Sequence, residues 1–403
     1  MNTLNPQFTL DLITKTLGKV NLKKSISTHE PDFLESNAWL YLKDCLDSNW
    51  VSSSGKWLEK FEKLISLFTG SPEVIAVSNG TDALRLAFYL VGVKRDEEVI
   101  VPSLSFVGTC NAISHLGAYP HFVDIEKNTL GIDPMKLEKY LENIAVKKND
   151  KLINKNTGRR IAAICPVHVF GNPSNCFVLK EIADRWSIPL VEDAAEALGS
   201  FISSTHCGLI GDIGILSFNG NKIITTGGGG ALLIKNKKLA KRARHLSTTA
   251  KINHPWEIFH DEVAWNDRLP NLNAALGVAQ MENISEKIKL KKKLFDNYCD
   301  CFKELSFVKI FQNNLSNSSS NNWLISLVIE LPDLRETKKF RDELLKISHD
   351  QGIFLRPVWQ PIHTLPMYQN VPKASLDVTN EMCMRIINLP SSPQLAKASF
   401  CKN

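Results

Sequence analysis

Residues 211–233 read GDIGILSFNGNKIITTGGGGALL. An apolar, β-branched run ends at Ser217-Phe218, a polar turn holds Lys222, and four glycines (227–230) lead into a second apolar run. The pattern predicts two strands with a lysine on their connection, beside backbone that glycine allows to approach a ligand closely. An amine withdrawn from water is a nucleophile toward carbonyls. A solvent-facing hairpin lysine is the ordinary alternative, and four consecutive glycines speak against it.

Short apolar runs recur on either side of this stretch and within it, at 74–77, 98–101, 120–124, 161–167, 190–192, 214–218 and 230–234. Helical patterns lie between several of them, at 81–91, 134–143 and 179–186. Strands alternating with helices predict a largely parallel sheet covered by helices on both faces. Before this region, 8–19, 38–48 and 56–68 read as helices; after it come a lysine-rich helix at 235–246 and one long amphipathic helix over 271–303. A strand at 323–331, a helix at 335–350 and a rigid proline-rich tail (RPVWQPIHTLPMY, 356–368) form a smaller α+β unit. The expected division is an N-terminal extension (1–30), a large α/β domain (31–270), and a linking helix with a small C-terminal domain (271–403).

The 403 residues allow two to three domains and a full core. With 43% hydrophobic and 22% charged residues, collagenous, coiled-coil and disordered chains are excluded. A formal charge of +6 is too mild to argue for nucleic acid, although it suits an anionic small substrate. Nine scattered cysteines without a CxxC pair indicate neither a disulfide framework nor a metal site. No apolar run approaches the roughly 20 residues that span a bilayer, and residues 1–19 do not read as a secretory signal. The expectation is a cytoplasmic enzyme with no membrane partner.

Two further stretches carry chemistry. In SNGTDALRLAFYL (78–90) a strand ends, Asn79-Gly80-Thr81 turns, and a helix begins at once; its free N–H groups and the Thr81 hydroxyl suit a phosphate, as they suit a plain helix cap. In LVEDAAEALG (190–199) a strand delivers Asp193 at its C-terminal end, where it pairs with a cationic ring nitrogen or caps the next helix. Together the three stretches ask for one ligand with a phosphate, a carbonyl that traps lysine, and a protonated ring nitrogen. Pyridoxal 5′-phosphate has all three.

On these residues the chain resembles the fold-type I aminotransferases, and most closely the DegT/DnrJ/EryC1/StrS family of nucleotide-sugar aminotransferases, from about residue 26 to 393. The resemblance implies an α/β fold with a mostly parallel seven-stranded sheet sandwiched by helices and a smaller C-terminal α+β domain. It makes Lys222 the Schiff-base lysine and Asp193 the pyridinium partner. Ser217, Gly80, Thr81 and Asp82 become phosphate ligands, Phe106 the aromatic stacked on the cofactor ring, and Glu196 a polar neighbour of the ring oxygen. Asn266 matches an asparagine that reaches the phosphate of a neighbouring subunit, which implies a homodimer with a shared site. The family pattern there is Gly-Tyr-Asn-aromatic-Arg; this chain has Ala264, Trp265 and Asp267 around Asn266 and Arg268. Substrate contacts are expected from His168, Arg268, Trp359, His363 and Tyr368.

THEPDF (28–33), DSNWVSSSGKWLEKFE (47–62), the all-glycine run after the lysine and LSTTAKINHP (246–255) look like the branch acting on UDP-4-keto sugars for bacillosamine- or legionaminic-acid-type products, with Asn49 where that branch more often has glycine. The implied reaction moves an amino group from L-glutamate to a nucleotide-linked 4-keto-6-deoxy sugar. A GDP- or dTDP-linked sugar is the chief alternative. A related dehydratase would carry histidine in place of Lys222, and a non-catalytic regulator would have a spoiled site.

Overall fold

The structure, a computed structural model, describes residues 5–18, 25–33 and 36–398. All seven expected runs form strands: β1 (Glu73–Val77), β2 (Glu98–Pro102), β3 (Tyr119–Val123), β4 (Ile161–Ile164), β5 (Val191–Asp193), β6 (Ile213–Ser217) and β7 (Gly230–Ile234). Four of them pair in the order β1-β7-β6-β5 and three in the order β3-β2-β4. Parallel bridges from Ile164 to Leu190 and from Val167 to Asp193 join the two sets into one seven-stranded sheet. The strands run parallel except β7, which is antiparallel to both β1 and β6.

Period-two alternation divides the sheet into two faces. Val74, Ala76, Leu216 and Leu233 turn toward α3 (Lys56–Thr69) and α9 (Asn271–Met281), sharing a core with Leu58, Phe61 and Ala274. Ile75, Val77, Ile215 and Leu232 turn the other way, onto α4 (Gly80–Leu90), α5 (Gly108–His115) and α8 (Lys237–Ser247). Further along, Ile100, Val123 and Leu190 meet α6 (Pro134–Ile144) and α7 (Cys176–Trp186).

The contact between α3 and α9 depends on Gly277. A Cβ there would stand 2.5 Å from Phe61 Cε2 in the fully buried Phe61 ring. Gly277→Ala is expected to destabilise the fold by about 1–3 kcal/mol through overpacking, read as a lower urea midpoint. Adding Phe61→Leu should recover part of that loss, because the two sites touch.

The single helix expected over 271–303 is two: α9 ends at Met281, and α10 (Ile284–Phe302) starts after a break at Glu282-Asn283. The small unit is an antiparallel four-stranded sheet in the order β8-β9-β11-β10, formed by β8 (Val308–Ile310), β9 (Ile325–Ile329), β10 (Arg356–Pro357) and β11 (Ile386–Leu389). It carries α11 (Leu334–Asp350) and α12 (Asp377–Arg385). The first helix, α1 (Pro6–Leu17), buries Leu10, Ile13 and Leu17 in this unit's core with Leu294, Tyr298 and Leu344. Asn49 has a left-handed φ of 59°, which explains why glycine suits that place. Among the described residues no disulfide forms, and no helix is long and apolar enough to cross a membrane; Cys401 lies outside them.

Candidate active site

The three chemical stretches meet at the C-terminal ends of β5 and β6 and at the start of α4, in a cleft of about 390 Å³. Lys222 lies on the β6–β7 connection. Its Nζ stands 3.1 Å from Glu196 Oε1 and 4.0 Å from the centroid of the Trp323 ring. The glycines after it serve space as well as conformation. Gly227 has φ +80°, and a Cβ on Gly230 would meet the Asn79 carbonyl oxygen at 2.5 Å, so β7 can begin directly against the start of α4. At Gly80 a Cβ would lie 3.0 Å from the Ser217 Cβ, which brings the α4 turn and the Ser217 hydroxyl together.

Asp193 ends β5. Its Oδ2 accepts from the Thr109 hydroxyl at 2.7 Å and its Oδ1 from the Ala195 N–H at 3.1 Å. Burial raises its carboxyl above the usual range, opposed by the Thr109 bond, the Ala195 N–H and the charge of Lys222. A carboxyl at this depth is held as the anion most readily beside a cation. Burial raises Glu196 in the same way, opposed chiefly by Lys222, and its Oε2 accepts from the Phe170 N–H at 2.8 Å. Phe106 is 54% exposed and lines the same cleft. The cleft thus sorts into a hydroxyl-rich end at a helix start, an amine, and a buried carboxyl, the set a phosphate, an aldehyde and a ring nitrogen require.

Thr81, Phe106, Asp193, Glu196, Ser217, Lys222 and Trp359 all line this space. Asp82 does not: its N–H goes to Asn79 Oδ1 at 2.8 Å and its carboxylate to Asn79 and Arg85, so it completes the helix cap. His168 is also absent from the cleft. It is fully buried, its Nε2 donating to Glu192 at 3.0 Å while its Nδ1 accepts from the Ser174 N–H at 3.0 Å. His168, Glu192 and Cys176 cluster as metal ligands do. The Glu192 oxygens, however, already accept from the N–H groups of Gly208, Ile210 and Gly211.

Tyr368 is 4% exposed and donates to Asn111 Oδ1 at 2.7 Å, a core contact. His363 pairs its Nδ1 with the Ser103 hydroxyl at 2.8 Å, outside the lining. Arg268 faces a shallow groove with Glu59, Glu62 and Arg244. It sits on extended chain next to Asp267, whose carboxylate takes Arg85 at 2.5 Å, so alternation turns Arg268 away. Asn266 is exposed and bridged to Thr248, and it does not line the cleft.

Sequence reading missed Thr109, Trp323 and Arg356 as lining residues. Arg356 sits inside the proline-rich tail, whose rigidity is the one signal that pointed there. A larger groove of about 770 Å³ lies against the small unit. Its Lys127, Lys309 and Arg385 are already tied to Glu381 or Glu330, and it holds none of the chemical stretches.

Residues 34–401 match the DegT/DnrJ/EryC1/StrS aminotransferase family. A GDP-perosamine synthase of Vibrio cholerae is 34% identical over 372 residues, covering 92% of this chain and 95% of its own. Aminotransferase TlmJ of Streptoalloteichus hindustanus superposes with a TM-score of 0.81 at 24% identity, over 91% of this chain and 93% of its own. DesI, solved in the presence of its TDP-sugar product, gives a TM-score of 0.79 at 25% identity, over 91% of this chain and 88% of its own.

Proposed function

Because the chain belongs to the DegT/DnrJ/EryC1/StrS aminotransferase family, and so is an aminotransferase that uses pyridoxal 5′-phosphate, we propose that it transfers the amino group of L-glutamate to the C4 ketone of a GDP-linked 4-keto-6-deoxy sugar. The sequence motifs suggested a UDP-linked substrate instead. A similar relative named GDP-perosamine synthase supports the guanosine nucleotide over that expectation. The observation that carries the catalytic reading is the Lys222 amine placed 3.1 Å from Glu196 in a cleft that also holds the buried Asp193.

When bound, the cofactor supplies an aldehyde that takes up the amino group and a protonated ring that withdraws electrons from the carbon losing its proton. The protein does the rest. Asp193, held by Thr109 and Ala195, would keep the ring nitrogen protonated. The Ser217 hydroxyl and the first-turn N–H groups of Gly80 and Thr81, which have no acceptor inside α4, receive the phosphate. Phe106, which lines the cleft, would cover the ring. Lys222 takes the proton from the α-carbon of glutamate, Glu196 orienting it, and returns a proton at C4 of the sugar. Both half-reactions use one amine, so donor and acceptor must occupy the cleft in turn. Arg356, at the cleft, is the cation for the carboxylates of one and the diphosphate of the other. Asn266, exposed on its own protomer, completes the phosphate site of a second copy.

Incubation with pyridoxal 5′-phosphate, L-glutamate and a GDP-linked 4-keto-6-deoxyhexose, followed by mass spectrometry, should yield the GDP-linked amino sugar. Amination of a UDP-linked keto sugar alone would overturn the nucleotide assignment. Failure to aminate any nucleotide keto sugar would overturn the substrate class.

A further inference from the structure

Trp323 has no part in the roles above, yet it touches both the reactive lysine and the residue before it. It stands just before β9 and is 3% exposed. Its backbone is fixed on both sides: the N–H donates to Asn321 Oδ1 at 2.8 Å, and the carbonyl accepts from Lys291 Nζ at 3.1 Å. Lys291 itself is fully buried, and burial holds it well below the usual lysine range. From this fixed base the indole reaches the loop that carries Lys222. Its Nε1–H donates to the Asn221 carbonyl at 2.7 Å, and the Lys222 amine lies 4.0 Å from the ring centroid.

The residues after Lys222 are anchored by the buried Ile223 and Ile224 and by Asn273, which donates to the Thr226 carbonyl; the residues before it have fewer supports. The Lys222 N–H bonds back to Asn219 within the loop, and beside Gly220 there is open space. Without an outside anchor, ordering these residues costs about 1–2 kcal/mol each in backbone entropy. We propose that Trp323 is a positioning residue that seats the free amine of Lys222. The ring face holds the ammonium, and the Nε1–H pins the preceding carbonyl, so the amine stays aimed into the cleft whenever it is not bonded to a carbonyl.

The negative face of an indole attracts a cation at this range. Glu196 stands 3.1 Å from the same amine and the charge of Asp193 acts on it too, so ring and carboxylate both hold it. His29 also faces this segment, and burial keeps it neutral at pH 7. His29 therefore adds no competing charge there. Since Trp323 belongs to the small unit and Lys222 to the large sheet, the seat depends on how those two units meet. The inference rests on Lys222 being the reacting amine.

The test uses the full chain freed of cofactor and offered pyridoxal, which lacks the phosphate and so depends on the amine alone. Amine and aldehyde condense with loss of water; borohydride then reduces the product to a stable secondary amine, and peptide mass spectrometry gives the rate of labelling at Lys222. Hydrogen exchange of the 219–223 segment is followed in parallel. Trp323→Leu should slow labelling about tenfold or more, as misplacement of a reacting group does, and raise exchange in that segment. Trp323→Phe keeps a ring face and loses the donor; it should restore most of the labelling rate while exchange stays raised. Trp323→Met takes the place of Leu should that variant not fold.

Equal slowing in the Leu and Phe variants would overturn the ring seat. Unchanged labelling in a folded Leu or Met variant would overturn the proposal altogether. Labelling of the wild type at some lysine other than Lys222 would instead overturn the catalytic reading beneath it.

Discussion

Lys222→Ala is expected to lower the turnover of amino transfer by at least about 10⁴-fold, roughly 5 kcal/mol of barrier. One side chain serves as covalent anchor and as the base and acid of both half-reactions, so its loss removes several contributions at once. The fold should survive. The side chain is 11% exposed at the edge of the cleft, and its polar partner is Glu196 rather than a core group. Glu196 would lose the cation that opposes its burial, so its carboxyl would move further up. The check has two parts: turnover at saturating substrates, and the thermal midpoint of the cofactor-free variant. Turnover within tenfold of wild type would sink the assignment of Lys222.

Asp193→Asn carries the second large effect, and its two consequences have opposite signs. Asparagine has the same shape and still accepts from Thr109 through its oxygen, but it cannot balance a ring cation. Turnover should fall about 10²–10³-fold, the scale of losing one well-placed electrostatic partner. Stability should not fall with it. Burial raises the folded-state carboxyl of Asp193 above its unfolded range. Its contribution is therefore favourable at low pH, where it is protonated, and is lost as the pH rises through the folded value. At neutral pH the cofactor-free Asn variant should be at least as stable as wild type, the difference growing as the pH rises to the folded value of Asp193 and levelling off above it. Urea midpoints from pH 5 to 8, measured beside kcat, test both halves. A variant that loses stability and activity together would point to a purely structural role.

Much of this was legible in the chain because it is local. Each strand of the large sheet is a short apolar run between turn residues, and burial on both faces leaves little else for such runs to become. The lysine with its glycines was legible for a related reason: glycine repeated at Gly227 and Gly230 is tolerated where a left-handed turn and a backbone close approach demand it. What failed depends on direction, which residue type does not reveal. His168 and Tyr368 look like ligand-binding side chains, yet the strand end that positions Asp193 and the core beside α5 have already taken their polar atoms. Arg268 was lost to the alternation of an extended segment. Thr109, Trp323 and Arg356 come from three distant stretches that only tertiary packing brings to Asp193 and Lys222. The break at Glu282-Asn283 escaped because residues on both sides share helical periodicity.

The antiparallel β7 has a consequence for how the chain is made. β1 pairs with β7 on one edge and, at Val77, with Arg268 on the other, so about 150 residues must be synthesised before either partner exists. At ribosomal rates of about 5–20 residues per second, that wait is on the order of ten to thirty seconds. Throughout it the nascent chain carries Glu-Val-Ile-Ala-Val with an unpaired backbone, a segment suited to pairing with neighbouring chains. Yield from fast overexpression should therefore improve with slower translation or with chaperones that hold emerging chains, more than for a sheet whose first strands pair in sequence.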